Sequence, residues 1–405
     1  MDVMTDARTG SRAGRLPAGV YLLGFSLFAM GSAEFLLAGV LPAVAADLGV
    51  GLPSAGYLIT AFALGVVVGG PPFAVLSLRW PRRTALVVTQ AVFAAGVLVG
   101  LIGDYPVLLL TRAVVGIAYA GFFAVASVTA IGLVPPDRTA RASGVVVSGL
   151  SVAMVAGGPA GTLLSHFTQW RGGFYAVVAL TAAGIIGCLL GLPGGTGAAT
   201  TPPVRRELAA MRRPALWGIY AITILTTAAY MITYNYLAAL LAGVTGVAPV
   251  WIPAVLALFG VGAFAGLSIG GRIADGRPHL ALLGGAAATA LLSGALVVGI
   301  HHAWAVVPTV LLLGIAAFVL NPALYGRVFT IAAHAPTLAG ATTVSAFQLG
   351  ISLTPVLAAT ALTRGLPLTA VALVGAALAV AAVPLIALDR VNRAARPVSR
   401  RCGRR

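Results

Sequence analysis

Lysine is absent from all 405 residues: each of the 25 basic positions is an arginine. That removes the P-loop lysine that reaches nucleotide phosphates, and with it a self-contained ATP-driven pump, as well as any lysine Schiff base. Cysteine is scarce. Cys188 lies in an apolar stretch and Cys402 in a basic tail, with no CxxC pair, which argues against a disulfide framework or a thiolate metal site. His301 and His302 are adjacent, a placement that suits a helix connection better than metal chelation. Charge is scarce as well. Only 8% of residues are charged, against about 25% in a soluble domain, so a single water-soluble globule is excluded. Paired carboxylates, a Ser/His arrangement or metal ligands are missing from the apolar segments, which leaves enzyme chemistry without a footing and calls for no cofactor.

Hydrophobic residues make up 60% of the chain. At about 20 apolar residues per span plus a short loop, the length accommodates roughly twelve membrane helices. Apolar windows fall at about 18–41, 54–76, 84–103, 107–133, 143–165, 171–192, 216–241, 249–271, 280–300, 303–327, 337–362 and 368–388. Arg8, Arg12 and Arg15 precede the first window as in a signal peptide, but the apolar run continues past Glu34 without a convincing cleavage site, so it reads as a retained helix. The stretch 193–215 is Gly/Thr/Pro-rich and then basic. It divides an N-terminal six-helix unit, 1–192, from a C-terminal one, 216–405, that ends in a basic tail.

The net charge of +16 would suggest nucleic acid in a soluble basic domain. Here the arginines sort by membrane side instead. Twenty-two fall in the two tails, the even-numbered connections and the end of the tenth window; Arg171 and Arg364 fall on the other side, and Arg112 lies inside a span. By the positive-inside rule both termini and the central loop are cytoplasmic, and an odd number of helices would destroy the sorting. The predicted class is therefore an all-α polytopic protein with twelve transmembrane helices in two six-helix bundles.

Small residues recur every four positions in two spans: Gly149, Ala153, Gly157 and Gly161 in the fifth, Gly262, Gly266 and Gly270 in the eighth. Such strips let helix backbones approach closely in lipid. Pro159 and Pro322 should bend their helices. Of the nine acids, eight are placed in tails or loops and Glu34 alone well inside a span. A carboxyl that is protonated when shielded and ionised when wet can couple proton flow to a conformational change, with an interhelical hydrogen bond as the plainer alternative. Arg112 needs a partner or a wet cavity, and Gly116 on the same helix face lets a neighbour come close. Tyr230, Tyr234, Asn235 and Tyr236 in the seventh span, Asn321 in the tenth and Gln348 in the eleventh are candidate substrate contacts, suited to a small amphipathic molecule.

Motifs then carry a resemblance. The first span reads Phe28-x-x-Gly31-x-x-Glu34-Phe35, followed by Leu41-Pro42 and Asp47-Leu48; the fourth contains Arg112-x-x-x-Gly116; the fifth contains Gly149 and then Gly158-Pro159 and Gly161. Together with the six-plus-six arrangement these resemble the major facilitator superfamily, in its twelve-helix drug:proton antiporter group. The resemblance implies an arginine at 112 that takes part in proton transfer and an antiporter signature in the fifth span typical of exporters. Arg79, Arg82 and Arg83 align with the family's cytoplasmic gate loop, although Leu78 replaces its acid and Pro81 its glycine. Gly271, Asp275 and Arg277 form the corresponding loop of the second half, and such internal repeats make the two bundles pseudo-symmetric. The run from Gly31 to Pro72 with Leu78–Arg83 is most similar to bacterial chloramphenicol-resistance exporters. It implies a monomer in the bacterial cytoplasmic membrane that exchanges a drug for protons by alternating access. A sugar or metabolite efflux permease on the same scaffold is the alternative.

Overall fold

The structure is a computed structural model that describes residues 16–76, 80–135, 138–192, 211–332 and 336–394. Twelve α-helices follow one another: α1 Ala18–Asp47, α2 Leu52–Leu76, α3 Arg82–Ile102, α4 Tyr105–Gly132, α5 Thr139–Val152, α6 Gly158–Gly191, α7 Pro214–Leu240, α8 Ile252–Gly276, α9 Pro278–Gly299, α10 Ala303–Ile331, α11 Pro336–Thr363 and α12 Ala370–Ala394. No strand occurs among the described residues. Large apolar side chains such as Leu110, Leu291 and Val298 stand 69–85% exposed around the outside. Water would penalise that surface, and lipid would not.

Eleven helical stretches are long and apolar enough to cross a membrane, and one of them, Arg141–Gly191, has 51 residues. At 1.5 Å per residue it would extend about 75 Å, more than twice the hydrocarbon thickness. It turns back at Thr168 and Gln169, where Gln169 takes φ 63° and ψ 165°. Counting the two limbs separately restores twelve spans. A non-glycine residue in that conformation is strained by about 1–3 kcal/mol, so its surroundings must hold it. Trp170 Nε1 and Arg171 Nη1 donate to Asp47 Oδ2 at 3.0 and 2.6 Å, and Arg171 Nε donates to the Leu101 carbonyl at 3.0 Å. The turn is thereby tied to the ends of α1 and α3.

In the fifth span α5 passes through a π turn, Ala153–Gly157, into α6. Pro159 cannot donate to the Val155 carbonyl, and the wider turn sits just before it. The extra residue in that turn brings both Gly157 and Gly158 against α1, at Ser32 and Phe35.

Three acids placed in loops or tails by hydropathy belong to helices. α1 runs through Pro42 to Asp47, α8 includes Asp275, and α12 includes Asp389. Pro42 withdraws only one N–H, and the Ala-rich turn after it carries the helix on. Asp389 is held by charge: Arg327 donates Nε to Oδ2 at 3.0 Å and Nη2 to Oδ1 at 2.6 Å, and His279 Nε2 lies 3.0 Å from Oδ2. These side chains, 10–14% exposed, join α9, α10 and α12 at the arginine-rich end. Asp389→Ala would strand the Arg327 guanidinium and is expected to destabilise by about 3 kcal/mol, seen as a lower Tm of the purified protein. Asp389→Asn, which keeps an acceptor, should lose less.

Two six-helix bundles pack by the same rule. Gly65 and Gly116 put α2 and α4 backbone to backbone, at the Ala113 and Phe62 carbonyls; Gly262, Gly266 and Gly270 do so for α8 against α10, at Leu311, Ile315 and Val319. Gly149 seats α5 on α1 at Gly24, and Gly350 seats α11 on α7 at Ile224. Each pair recurs six helices later, which is the pseudo-symmetry in physical form. The halves meet where Thr60 Oγ1 of α2 donates to the Ser352 carbonyl of α11 at 2.9 Å and where Phe35 of α1 stands edge-on to Tyr234 of α7 at 6.2 Å.

Candidate functional site

Glu34 sits in the middle of α1, flanked by fully buried Met30, Ala33 and Leu37, and is itself half-buried. Its Oε1 accepts a hydrogen bond from Gln348 Nε2 of α11 at 3.1 Å. The plainer sequence alternative, an interhelical hydrogen bond, is thus present, and it crosses from one half to the other.

Asp104 caps the start of α4 by accepting from the Val107 N–H at 3.2 Å, with Pro106 in the first turn, where its missing N–H is harmless. Two turns on, Arg112 is 4% exposed. Its Nε donates to the Leu58 carbonyl at 3.4 Å, its guanidinium lies 4.8 Å over the Phe62 ring, and its buried Nη1 has no partner. Gly116 lets α2 come close enough for both contacts. Arg112 and Glu34 lie within electrostatic reach of each other but form no ion pair among the described residues. Tyr119, two turns beyond Arg112 on the same face, also lies in reach of Glu34 and packs on Phe62 at 5.5 Å.

From the second half, α7 presents two tyrosines. The Tyr234 ring packs between Phe35 and Phe259, 4.8 Å from the latter, and its buried hydroxyl has no partner. Tyr230 packs on Phe318 at 5.3 Å, with its hydroxyl near Thr227 and Asn321. Tyr325 of α10, stacked on Phe347 at 5.5 Å, lies within electrostatic reach of both Tyr119 and Tyr230. Asn235 is placed differently: its Nδ2 donates to Thr354 Oγ1 at 2.8 Å, holding α7 to α11 within one half. Tyr236 is fully buried with its hydroxyl beneath Gly56 of α2.

Gly149, Gly158 and Gly161 all face α1, against Gly24, Phe35 and Leu36, and Pro159 lies between the last two. On its other side the π turn meets Gly260 of α8 at Val155. The fifth span is therefore wedged between the helix that carries Glu34 and a helix of the other half.

The gate residues are less concentrated. Arg79 lies outside the described residues. Arg82 packs at Gly132 of α4, and Arg83 Nη2 donates to the Leu189 carbonyl. Gly271 faces open space, and Asp275 and Arg277 are exposed, the latter closing α8 through its N–H to the Ile273 carbonyl at 2.8 Å. Asp275 forms no ion pair among the described residues; the charge cluster at this end is Arg327–Asp389–His279. That cluster, Tyr119 and Tyr325 escape the sequence reading. A Tyr in an apolar span looks like core, and the acid of the cluster looks like tail.

The site thus combines one carboxyl with one amide partner, a fixed positive charge held nearby but not in contact, and a wall of aromatic rings and hydroxyls from the other half. Such a group can take and release a proton, and such a wall suits an amphipathic molecule.

The family model of the Major Facilitator Superfamily matches residues 23–355. The chain is 41% identical to a chloramphenicol resistance protein of Streptomyces lividans, over 86% of this chain and 90% of that one. It is 32% identical to the inner membrane transport protein YdhP of Escherichia coli (strain K12), over 90% and 94% of the two chains. Among solved structures it resembles the nucleoside transporter NupG, with a TM-score of 0.74 at 12% identity, covering 92% of this chain and 99% of that one.

Proposed function

The chain belongs to the Major Facilitator Superfamily, and from that premise we propose that this membrane transporter is a proton-coupled exporter of a small amphipathic antibiotic, with chloramphenicol as its substrate. Residues 1–192 and 216–405 are the two moving units, joined by 193–215, and they rock about the seam that holds Glu34. Both termini and the arginine-rich end face the cytoplasm of a bacterium, and the protein works as a monomer.

The observation that carries this reading is the position of Glu34, a carboxyl in mid-span that contacts the opposite half through Gln348. Glu34 takes a proton from outside as drug leaves and releases it inside as the next drug binds. Arg112 favours that release by its charge. Tyr230, Tyr234, Asn321 and Gln348 line the drug cavity, while Asn235 stiffens the wall behind them. The Gly149–Gly161 segment supports α1 during the exchange, and the loops at Arg79, Arg82, Arg83, Gly271, Asp275 and Arg277 close the cytoplasmic end. Identity to the Streptomyces lividans protein supports the substrate.

Susceptibility profiling of a sensitive host that expresses the protein tests the reading. Tolerance to chloramphenicol should rise, and a protonophore should erase the gain. An unchanged tolerance, or one that the protonophore leaves intact, overturns the proposal. Competition of drug efflux by sugars would point to a sugar permease instead.

A further inference from the structure

The bond between Gln348 and Glu34 has a second property besides its position. Gln348 is 6% exposed, and its own Oε1 is buried without a donor while Nε2 serves Glu34. One helical turn along the same face of α11, the Ser352 carbonyl accepts from Thr60 of the first half, so this face of α11 is part of the seam. No second side chain donates to Glu34 among the described residues.

We propose that Gln348 is the positioning residue that turns the protonation state of Glu34 into the strength of the contact between the halves; this rests on the proton-coupling reading of Glu34 given above. A side-chain amide can serve both states of a carboxyl. With Glu34 ionised, Nε2 donates to the carboxylate through the same pair of atoms that lie 3.1 Å apart in the structure. When a proton from water adds to the carboxylate oxygen, the carboxyl gains an O–H donor, and a half-turn of the amide presents the idle Oε1 to accept it. The first bond is charge-assisted and roughly twice as strong as the second. The Glu34–Gln348 link across the halves is therefore tightest while Glu34 is ionised, and protonation loosens it without leaving either group unpaired. A methionine would fill the same space and do neither.

The charged and titratable groups within electrostatic reach of Glu34 are Arg112 and Tyr119 from α4 and Tyr230 and Tyr234 from α7. None comes from α2, α5, α6 or α8 among the described residues, so Arg112 is the one permanent charge that competes with Gln348 for influence on the carboxyl.

The test uses Gln348→Met, Gln348→Asn and the reversed pair Glu34→Gln with Gln348→Glu, beside wild type and Glu34→Gln. Export of radiolabelled chloramphenicol is followed in proteoliposomes with an imposed pH gradient. Proton uptake by the purified, drug-free protein is counted with an indicator dye. Both single Gln348 variants should bind as many protons as wild type, with a displaced uptake midpoint, and should export about tenfold more slowly. The loss should lie mainly in kcat, beyond whatever change in KM follows from the place of Gln348 in the cavity wall. The reversed pair should export faster than either of its component single variants. Wild-type rate and wild-type midpoint in Gln348→Met or Gln348→Asn overturn the proposal. So does a loss confined to KM, which would make Gln348 only a drug contact. Failure of the underlying reading looks different: Glu34→Gln would then take up protons and export as wild type does, whatever happens at Gln348.

Discussion

Glu34→Gln is expected to leave the protein folded and drug-binding while abolishing export against a gradient. The new amide has nearly the volume of the carboxyl, and its carbonyl can still accept from Gln348 Nε2, the partner seen at 3.1 Å. Packing around Met30, Ala33 and Leu37 is untouched, so Tm should shift little. What disappears is the capacity to gain and lose a proton. One proton crossing a 100 mV potential supplies about 2.3 kcal/mol, enough to hold about a fiftyfold drug gradient. In inside-out vesicles with an imposed gradient the variant's drug ratio should fall to unity. Exchange of labelled for unlabelled drug, which needs no net proton movement, should persist. Uphill export at the wild-type level would remove Glu34 from the coupling step altogether. Glu34→Asp should fall between, since it titrates but is a methylene too short to keep the Gln348 bond.

The number and order of spans could be read from hydropathy because every helix must bury its own backbone polar groups in lipid, and only long apolar segments do so. Helix ends were less legible. Asp47 and Asp389 look like loop residues until Trp170 and Arg171, or Arg327 and His279, are brought beside them by distant parts of the chain. Local composition says nothing of such partners. The same limit applies at the candidate site. Glu34 and Arg112 stand out as charges in apolar surroundings, and an amide at 348 is conspicuous for the same reason. That Gln348 should meet Glu34, 314 residues away, while Asn235 turns to Thr354, depends on how the two halves face each other. The glycine strips were readable as contact surfaces, but their partners were not, and the π turn that brings both Gly157 and Gly158 to α1 breaks the four-residue spacing by which the strip was recognised.

Those strips lead to the second large effect. Gly116→Leu and Gly262→Leu should both prevent stable assembly, because the backbone of the neighbouring helix occupies the place of the side chain. A Cβ on Gly116 would run into the Phe62 carbonyl and lie 3.1 Å from the Val66 nitrogen; one on Gly262 would run into the Leu311 carbonyl and lie 3.1 Å from the Ile315 nitrogen. Backbone cannot rotate aside as a side chain can. Even Ala should cost about 1–3 kcal/mol of overpacking at either position, and Leu considerably more. Gly294 is a control in the same class of helix: nothing lies within 4 Å of its Cβ position, and Gly294→Ala should be neutral or slightly stabilising. Detergent Tm and membrane yield measure all of these, and a Gly116→Leu protein with wild-type yield and Tm would refute the packing argument. The two Ala variants should then separate in function. α2/α4 and α8/α10 are pseudo-symmetric pairs, so the stability losses should be similar. Only Gly116 lies one turn from Arg112, whose Nε reaches the Leu58 carbonyl and whose guanidinium covers Phe62, both on the helix that an added methyl would push away. At matched amounts of folded protein, Gly116→Ala should therefore lose several-fold more export than Gly262→Ala. Equal export would mean that the seat of Arg112 on α2 is immaterial to transport.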